Sequence, residues 1–207
     1  MTGTTLLAFD TSAAHCSAAV LRGDRLLASR TEAMSRGQAE RLISLLDEVL
    51  AEGDIPWEGL DGLGVGIGPG NFTGIRIAVA AARGLALALN RPAIGISGLE
   101  AAAFALPRPI TAVLPAPRGR AYVQRFGPDS PPTLVDSLPP GETPLTGPGA
   151  AALAGTRPVV PQPVPLTEAI ARIAVRQLGT PHPRPAPLYL RPADAAPARD
   201  APPVILS

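Results

Sequence analysis

Lysine is absent from this 207-residue chain: all 18 basic residues are arginines. That excludes a P-loop, whose glycine turn needs a lysine to reach the terminal phosphates. A single cysteine, Cys16, rules out an intramolecular disulfide and a thiolate metal cluster. The two histidines, His15 and His182, stand near opposite ends of the chain, so no imidazole pair on one helix ligates a metal. Aromatic residues make up 3%, too few for the stacking platforms of a single-strand nucleic-acid binder. Net charge is +1 and the arginines are scattered, so there is no basic stripe for a polyanion. No segment has the layout of a secretory signal, and no apolar run is expected to span a membrane. Cytoplasm is the expected location.

What remains is globular composition, 46% hydrophobic and 17% charged, enough for one domain or two small ones. "LLAFD" (6–10) reads as a short apolar strand ending in an acid. "CSAAVLRGDRLLASRT" (16–31) reads as two strands about a Gly23-Asp24 turn. "SRGQAERLISLLDEVLAEG" (35–53) has the clearest helical period, through Ala39, Leu42, Ile43, Leu46, Val49 and Leu50. Ser35 and Gln38 have capping-box spacing, and Gly53 ends the run. "LGVGIG" (63–68) predicts a buried strand, "IRIAVAAARGLALALN" (75–90) a helix of small side chains, and "AIGIS" (93–97) another strand. Ser97 with Glu100 repeats the capping spacing for a short helix to Leu106.

After Pro107 the character changes. "ITAVL" (110–114) and "RAYVQRF" (120–126) predict paired strands, and Pro and Gly dominate 127–165, where only "TLVDSL" (133–138) reads as a strand. "LTEAIARIAVRQLG" (166–179) predicts a last helix, and a Pro-rich tail follows with "LYLRP" (188–192) as its one sticky point. A three-stranded meander followed by αβαβ is the order of a ribonuclease-H-like unit. Two such units make the actin/sugar-kinase/Hsp70-like architecture. The expected fold is therefore α/β, two-lobed and mixed-sheet, with residues 1–106 as the first lobe and 107–207 as a reduced second lobe.

The segment "GVGIGPGNFTGIRIAV" (64–79) raises the question of phosphate binding. A glycine turn before a helix N-terminus is a generic anion trap, with Thr73 as candidate N-cap and Arg76 in the first turn. Its spelling fits neither the P-loop nor the dinucleotide fingerprint, whose geometry Pro69 breaks. The alternative is structural: glycines that permit close backbone approach and positive φ.

"GIGPGNFTGIRIAVAAARGLALALNRPAIGIS" closely resembles the signature of bacterial TsaB proteins (older name YeaZ), which serve in making threonylcarbamoyl-adenosine in tRNA. Asn71 stands where the family usually has Ser, and Ala78 where Gly is common. "LLAFDTSAAHCSAAVL" is similar to the family's first strand and turn, and "SRGQAERLISLLDEVL" to its first helix, with Gln38 in place of a histidine. The likeness is dense over about residues 5–126 and thin afterwards.

The resemblance implies a degenerate, non-catalytic paralogue of the catalytic subunit TsaD, serving as a platform that pairs with it through the first two helices. It places the partner face at Gln38, Arg41, Leu42, Leu45, Leu46, Val49, Arg76, Ala80, Arg83, Gly84 and Leu87. An apolar centre would carry the affinity within a rim of Arg41, Glu48 and Arg83. On that expectation Leu45→Glu or Leu42→Glu abolishes pairing without unfolding the chain, unless these positions are core. A TsaE-type ATPase would join through the complex, tRNA would bind mainly through the partner, and the chain alone could homodimerise.

ATP users of this fold need a carboxylate after the first strand of each lobe. Asp10 matches the first; Pro115-Ala116-Pro117-Arg118-Gly119 offers proline at the second. No catalytic residue and no metal ligand is therefore expected, no cofactor is bound independently, and ATP with Mg²⁺ belongs only to the complex. Asp10 reads better as a cap on the Thr11-Ser12 turn. The loop residues Gly68, Gly70, Asn71, Phe72, Thr73 and Gly74, with Asp10 and Thr11, are either a relic that holds the second helix or part of a pocket at a subunit junction. A Ser-His-Asp hydrolase is disfavoured, because only His15 could act as base and neither Ser12 nor Ser17 lies in an elbow motif. Runner-up functions are an ATP-dependent phosphotransferase of the same fold and a homodimeric regulator without a tRNA role.

Overall fold

The computed structural model describes residues 3–190. Strands β1 (Thr5–Asp10), β2 (His15–Arg22) and β3 (Arg25–Ala33) form an antiparallel meander, and β4 (Gly62–Gly66) and β5 (Ala93–Ile96) extend it in parallel. The sheet order is β3-β2-β1-β4-β5. Three helices belong to this stretch: α1 (Gln38–Glu52), α2 (Phe72–Leu89) and α3 (Gly98–Ala102).

Leu6, Leu7, Ala8 and Phe9 are all fully buried because both faces of the sheet are covered. Leu7 and Phe9 meet Leu42, Leu45, Leu46 and Val49 of α1 and Ala78 and Ala82 of α2. Leu6 and Ala8 face the other way, toward Ala169, Ile170 and Ala174. Those three lie on α5 (Leu166–Gln177), the last helix in sequence. Chain order alone would place α5 with the second half, yet it covers the first sheet.

A second sheet is built from β6 (Ile110–Pro115), β7 (Ala121–Phe126), β8 (Thr133–Val135), β9 (Leu145–Thr146) and β10 (Val159–Val160). Its order, read from the meander edge, is β8-β7-β6-β9-β10. This repeats the first sheet strand for strand: an antiparallel meander, then two parallel additions. Gly68-Pro69-Gly70 follows the fourth strand of the first sheet, and Gly147-Pro148-Gly149 follows the fourth strand of the second. The helix after it is 18 residues long in the first unit (α2) and 4 in the second, α4 (Ala150–Leu153). The two-lobed, mixed-sheet expectation with a reduced second unit is what the topology shows.

Local expectations fared unevenly. The Ser35–Gln38 capping box does not form: α1 begins at Gln38 behind a left-handed Gly37, with no side-chain cap. Gln38 instead turns back so that its Nε2 donates to the Met34 carbonyl. Thr73 is not the N-cap of α2; Asn71 is, accepting the Gly74 N–H, so the helix starts three residues earlier than the apolar period suggested. The strand expected over 133–138 stops at Val135, and two-residue β9 and β10 were hidden in the Pro-rich stretch. By length and composition α2 could cross a membrane, contrary to the expectation of no such run. Its buried side, Ile75, Ala78, Val79 and Ala82, packs within the fold.

Candidate functional site

The glycine loop and the β1–β2 turn are in contact at backbone distance. Asn71 N–H donates to the Ser12 carbonyl at 2.6 Å, and Thr11 Oγ1 donates to the Gly74 carbonyl at 2.7 Å. A Cβ on Gly70 would stand 2.1 Å from the Ser12 carbonyl oxygen, and one on Gly74 1.9 Å from that of Thr11. Any side chain there would force the loop off the turn. Gly68 takes φ 89°, a left-handed value that suits glycine. The glycines thus bring the start of α2 against the first turn, and backbone occupies the space between them. Phe72 and Thr73, at the helix start, remain exposed.

Asp10 is 1% exposed at the end of β1, and its carboxylate is fully engaged. Oδ1 accepts the Ser12 N–H at 3.2 Å, and Oδ2 accepts the Ser12 hydroxyl at 2.9 Å and lies 2.8 Å from His15 Nε2. This is the turn-capping geometry of a buried aspartate. Gly66 makes room for it, since a Cβ there would lie 2.1 Å from Oδ1. The carboxylate, rather than the imidazole, stands between serine and histidine, which is the wrong order for a nucleophile–base relay. Ser17 Oγ donates to the Asp10 carbonyl and also pairs with Thr167 of α5, 2.6 Å away. Composition gave no sign of the His15 contact.

The corresponding turn of the second unit joins β6 to β7. Arg118 and Gly119 take φ 64° and 71°, the paired left-handed values of a tight hairpin turn. Pro115 ends β6 there, exposed, so this turn presents no carboxylate.

The expected partner face divides in two. Leu42, Leu45, Leu46 and Val49 are at most 1% exposed and lie in the chain's own core, against β1 and β2. They are not available to a partner, and the physical reason is plain: these four side chains, with Leu50, cover the sheet. Gln38 is buried as well. Arg41 is half-buried and forks between two carboxylates, with Nε and Nη2 on Glu32 at 2.8 and 2.6 Å and Nη1 on Glu48 at 2.7 Å. It holds Glu32 and Glu48 below the usual carboxylate range, chiefly by these hydrogen bonds. Of the larger apolar α1 side chains, Ile43 remains exposed.

The α2 members of the set are outside. Arg76, Ala80, Arg83, Gly84 and Leu87 form one exposed face, and Leu87 is 85% exposed. A Cβ on Gly84 would meet nothing within 4 Å. At the N-terminal end of this face Phe72 stacks on Tyr189 with centroids 5.0 Å apart. Arg76 lies over the Phe72 ring, and its Nε donates to the Tyr189 hydroxyl at 2.8 Å. Leu188, Tyr189 and Leu190 are the described part of the sticky tail motif; Arg191 and Pro192 lie outside the described residues. The one cue to it was an aromatic in an otherwise Pro-rich tail.

Comparison with known proteins fits this geometry. A family model described as "TsaD: tRNA N6-adenosine threonylcarbamoyltransferase" matches residues 28–126. The tRNA threonylcarbamoyladenosine biosynthesis protein TsaB of Haemophilus influenzae is 41% identical over 106 residues, covering 51% of this chain and 44% of that protein. The protein of the same name from Escherichia coli is 35% identical over 94 residues, 45% of this chain and 40% of its own length. A crystal structure from Pseudomonas aeruginosa, described as similar to peptidase YeaZ, aligns with TM-score 0.74 at 27% identity, over 91% of this chain and all of that one.

The chain is similar to TsaB/YeaZ proteins in sequence and in fold. The chain spans less than half the length of the two curated TsaB proteins it matches, and the family-model match falls on the first unit and the start of the second. The loop with α2, which carried the resemblance in sequence, is also packed so closely on the first turn that Gly70 and Gly74 leave no room for a Cβ.

Proposed function

We propose that this chain is a non-catalytic subunit for threonylcarbamoyl transfer to adenosine in tRNA, pairing with a TsaD-type catalytic subunit through the outer face of α2. The observation that carries this is the Ala80–Gly84–Leu87 surface. A helix face with a glycine whose Cβ position is open, and a leucine 85% exposed beside it, admits a second backbone closely and leaves apolar area for it to cover. Pairing here does not need the α1 stripe, which is already in use.

Among the described residues no group of three or more His, Cys, Asp or Glu side chains is placed to hold a metal. The one buried carboxylate at a strand end, Asp10, is engaged by Ser12 and His15. A TsaE-type ATPase would enter through the assembled complex, and tRNA mainly through the partner.

The test is to mix the purified chain with the TsaD-type protein of the same organism and weigh the product by light scattering during size exclusion. A stable heteromeric species, with threonylcarbamoyl transfer to tRNA only when both chains are present, is expected. A homodimer with no affinity for the partner would overturn the scaffold role and favour a separate regulator.

A further inference from the structure

A pocket of about 830 Å³ lies at the C-terminal end of α2, between the helix and the segment that returns along it. Arg83, Arg91, Arg184 and His182 line it, and no carboxylate does. Among the described residues, six arginines elsewhere have a carboxylate or an aromatic ring as partner, whereas others, Arg25 and Arg125 among them, have neither. Arg30, Arg41 and Arg172 pair with glutamates, and Arg76, Arg108 and Arg176 lie over aromatic rings. Among the described residues Arg91 and Arg184 have neither. Three guanidiniums gathered from two separate segments repel one another, and an anion between them removes that cost.

The surroundings favour an anion over a cation. Two of the carbonyls in the last turn of α2 are taken: those of Ala86 and Leu87 accept the Asn90 N–H, and that of Ala86 also accepts the Arg91 N–H. Arg83 Nε donates to the Pro185 carbonyl at 2.7 Å, which ties the returning segment to the helix and fixes one wall. His182 Nδ1 donates to the Thr180 carbonyl at 2.8 Å, which orients the ring at the pocket wall. Guanidinium forks match the oxygens of a phosphate two at a time. Leu87 and Pro185 add apolar wall for the organic part of such a ligand.

We propose that this pocket binds a phosphate-bearing ligand, held by Arg91 and Arg184 with Arg83 behind them. The phosphate is either that of a free pyrophosphate or nucleotide or that of an RNA backbone. The pocket shares Arg83, Gly84 and Leu87 with the α2 face assigned to pairing, whereas Arg91 and Arg184 lie outside that face, so substitutions at these two test ligand binding separately from pairing.

The test is calorimetric titration of the full chain with inorganic pyrophosphate, ATP and a short single-stranded RNA at low salt. Arg91→Ser and Arg184→Ser are compared with Arg125→Ser, which removes the same charge from an exposed position on β7. Saturable binding is expected, weakened about tenfold by each pocket substitution and less than twofold by Arg125→Ser, with thermal midpoints unchanged. Titration by pyrophosphate or ATP identifies a small-molecule site. Titration by RNA alone, with the same losses, identifies the backbone phosphate as the source. No binding by any probe, or equal weakening by Arg125→Ser, overturns the proposal.

Discussion

Thr11 and Gly74 clasp each other across 63 residues of chain: the threonine hydroxyl donates to the glycine carbonyl at 2.7 Å, and a Cβ on Gly74 would stand 1.9 Å from the threonine carbonyl oxygen. The contact leaves no room for even one methyl group. Gly74→Ala should therefore cost about 3 kcal/mol by forcing α2 away from the first turn, at the upper end of overpacking penalties. Thr11→Val keeps the shape and removes the hydrogen bond, costing about 1 kcal/mol. Urea unfolding of the two variants checks this. A Gly74→Ala protein as stable as the parent would mean that the loop is not held as described.

The Arg41 fork makes a different forecast, about pH. Glu32 and Glu48 have folded pKa values lowered from 4.5, mainly by hydrogen bonds from Arg41. A depressed carboxylate stabilises the fold above its unfolded pKa, and that contribution is lost as pH falls through the folded value. Stability should thus decline below about pH 4.5 in the parent, and less steeply in Arg41→Leu. Urea midpoints at neutral and acid pH, at low and high salt, measure it. Equal slopes in the two proteins would show that the fork contributes nothing, as exposed ion pairs often do.

Cys16 should be chemically silent in the native state. It is fully buried, and burial, aided by the charges of Glu32 and Asp10, pushes its thiol up to about 11 against the pull of Arg41. Roughly one thiol in a thousand would be ionised at pH 8, and that one would be out of reach. Ellman's reagent should give no colour until denaturant is added. Rapid reaction in native buffer would contradict the burial.

The first sheet was legible because its signals are local: a strand of consecutive apolar residues, a Gly23 turn, a helix with a clear 3.6 period. The second sheet was not, since β9 and β10 have two residues each and no period to read. Only the topology exposes the repeat, with Gly147-Pro148-Gly149 echoing Gly68-Pro69-Gly70. The site was half legible. Spacing puts Leu42, Leu45, Leu46 and Val49 on one face of α1 but cannot tell whether sheet or partner covers them. The contacts of Tyr189 with Phe72 and of His15 with Asp10 depend on three-dimensional return of the chain, for which no local pattern exists.

That ambiguity on the first two helices gives the sharpest prediction. Leu45 is fully buried on α1 among Phe9, Val20 and their neighbours, so Leu45→Glu places a charge in the core and should cost at least about 4 kcal/mol. It would abolish pairing only because it abolishes the fold. Gly84→Glu and Leu87→Glu alter the open face of α2 and should leave the thermal midpoint nearly unchanged while weakening association with a TsaD-type partner at least tenfold. Gly84→Ala separates the two effects further. Replacing a mid-helix glycine should stabilise the isolated chain by about 0.5–1 kcal/mol. The added methyl meets nothing in this chain but would stand in the path of a closely approaching helix. Circular-dichroism melts alongside light scattering of the mixed proteins distinguish the outcomes. Gly84→Ala, Gly84→Glu and Leu87→Glu proteins that pair as tightly as the parent would move the partner off this face of α2.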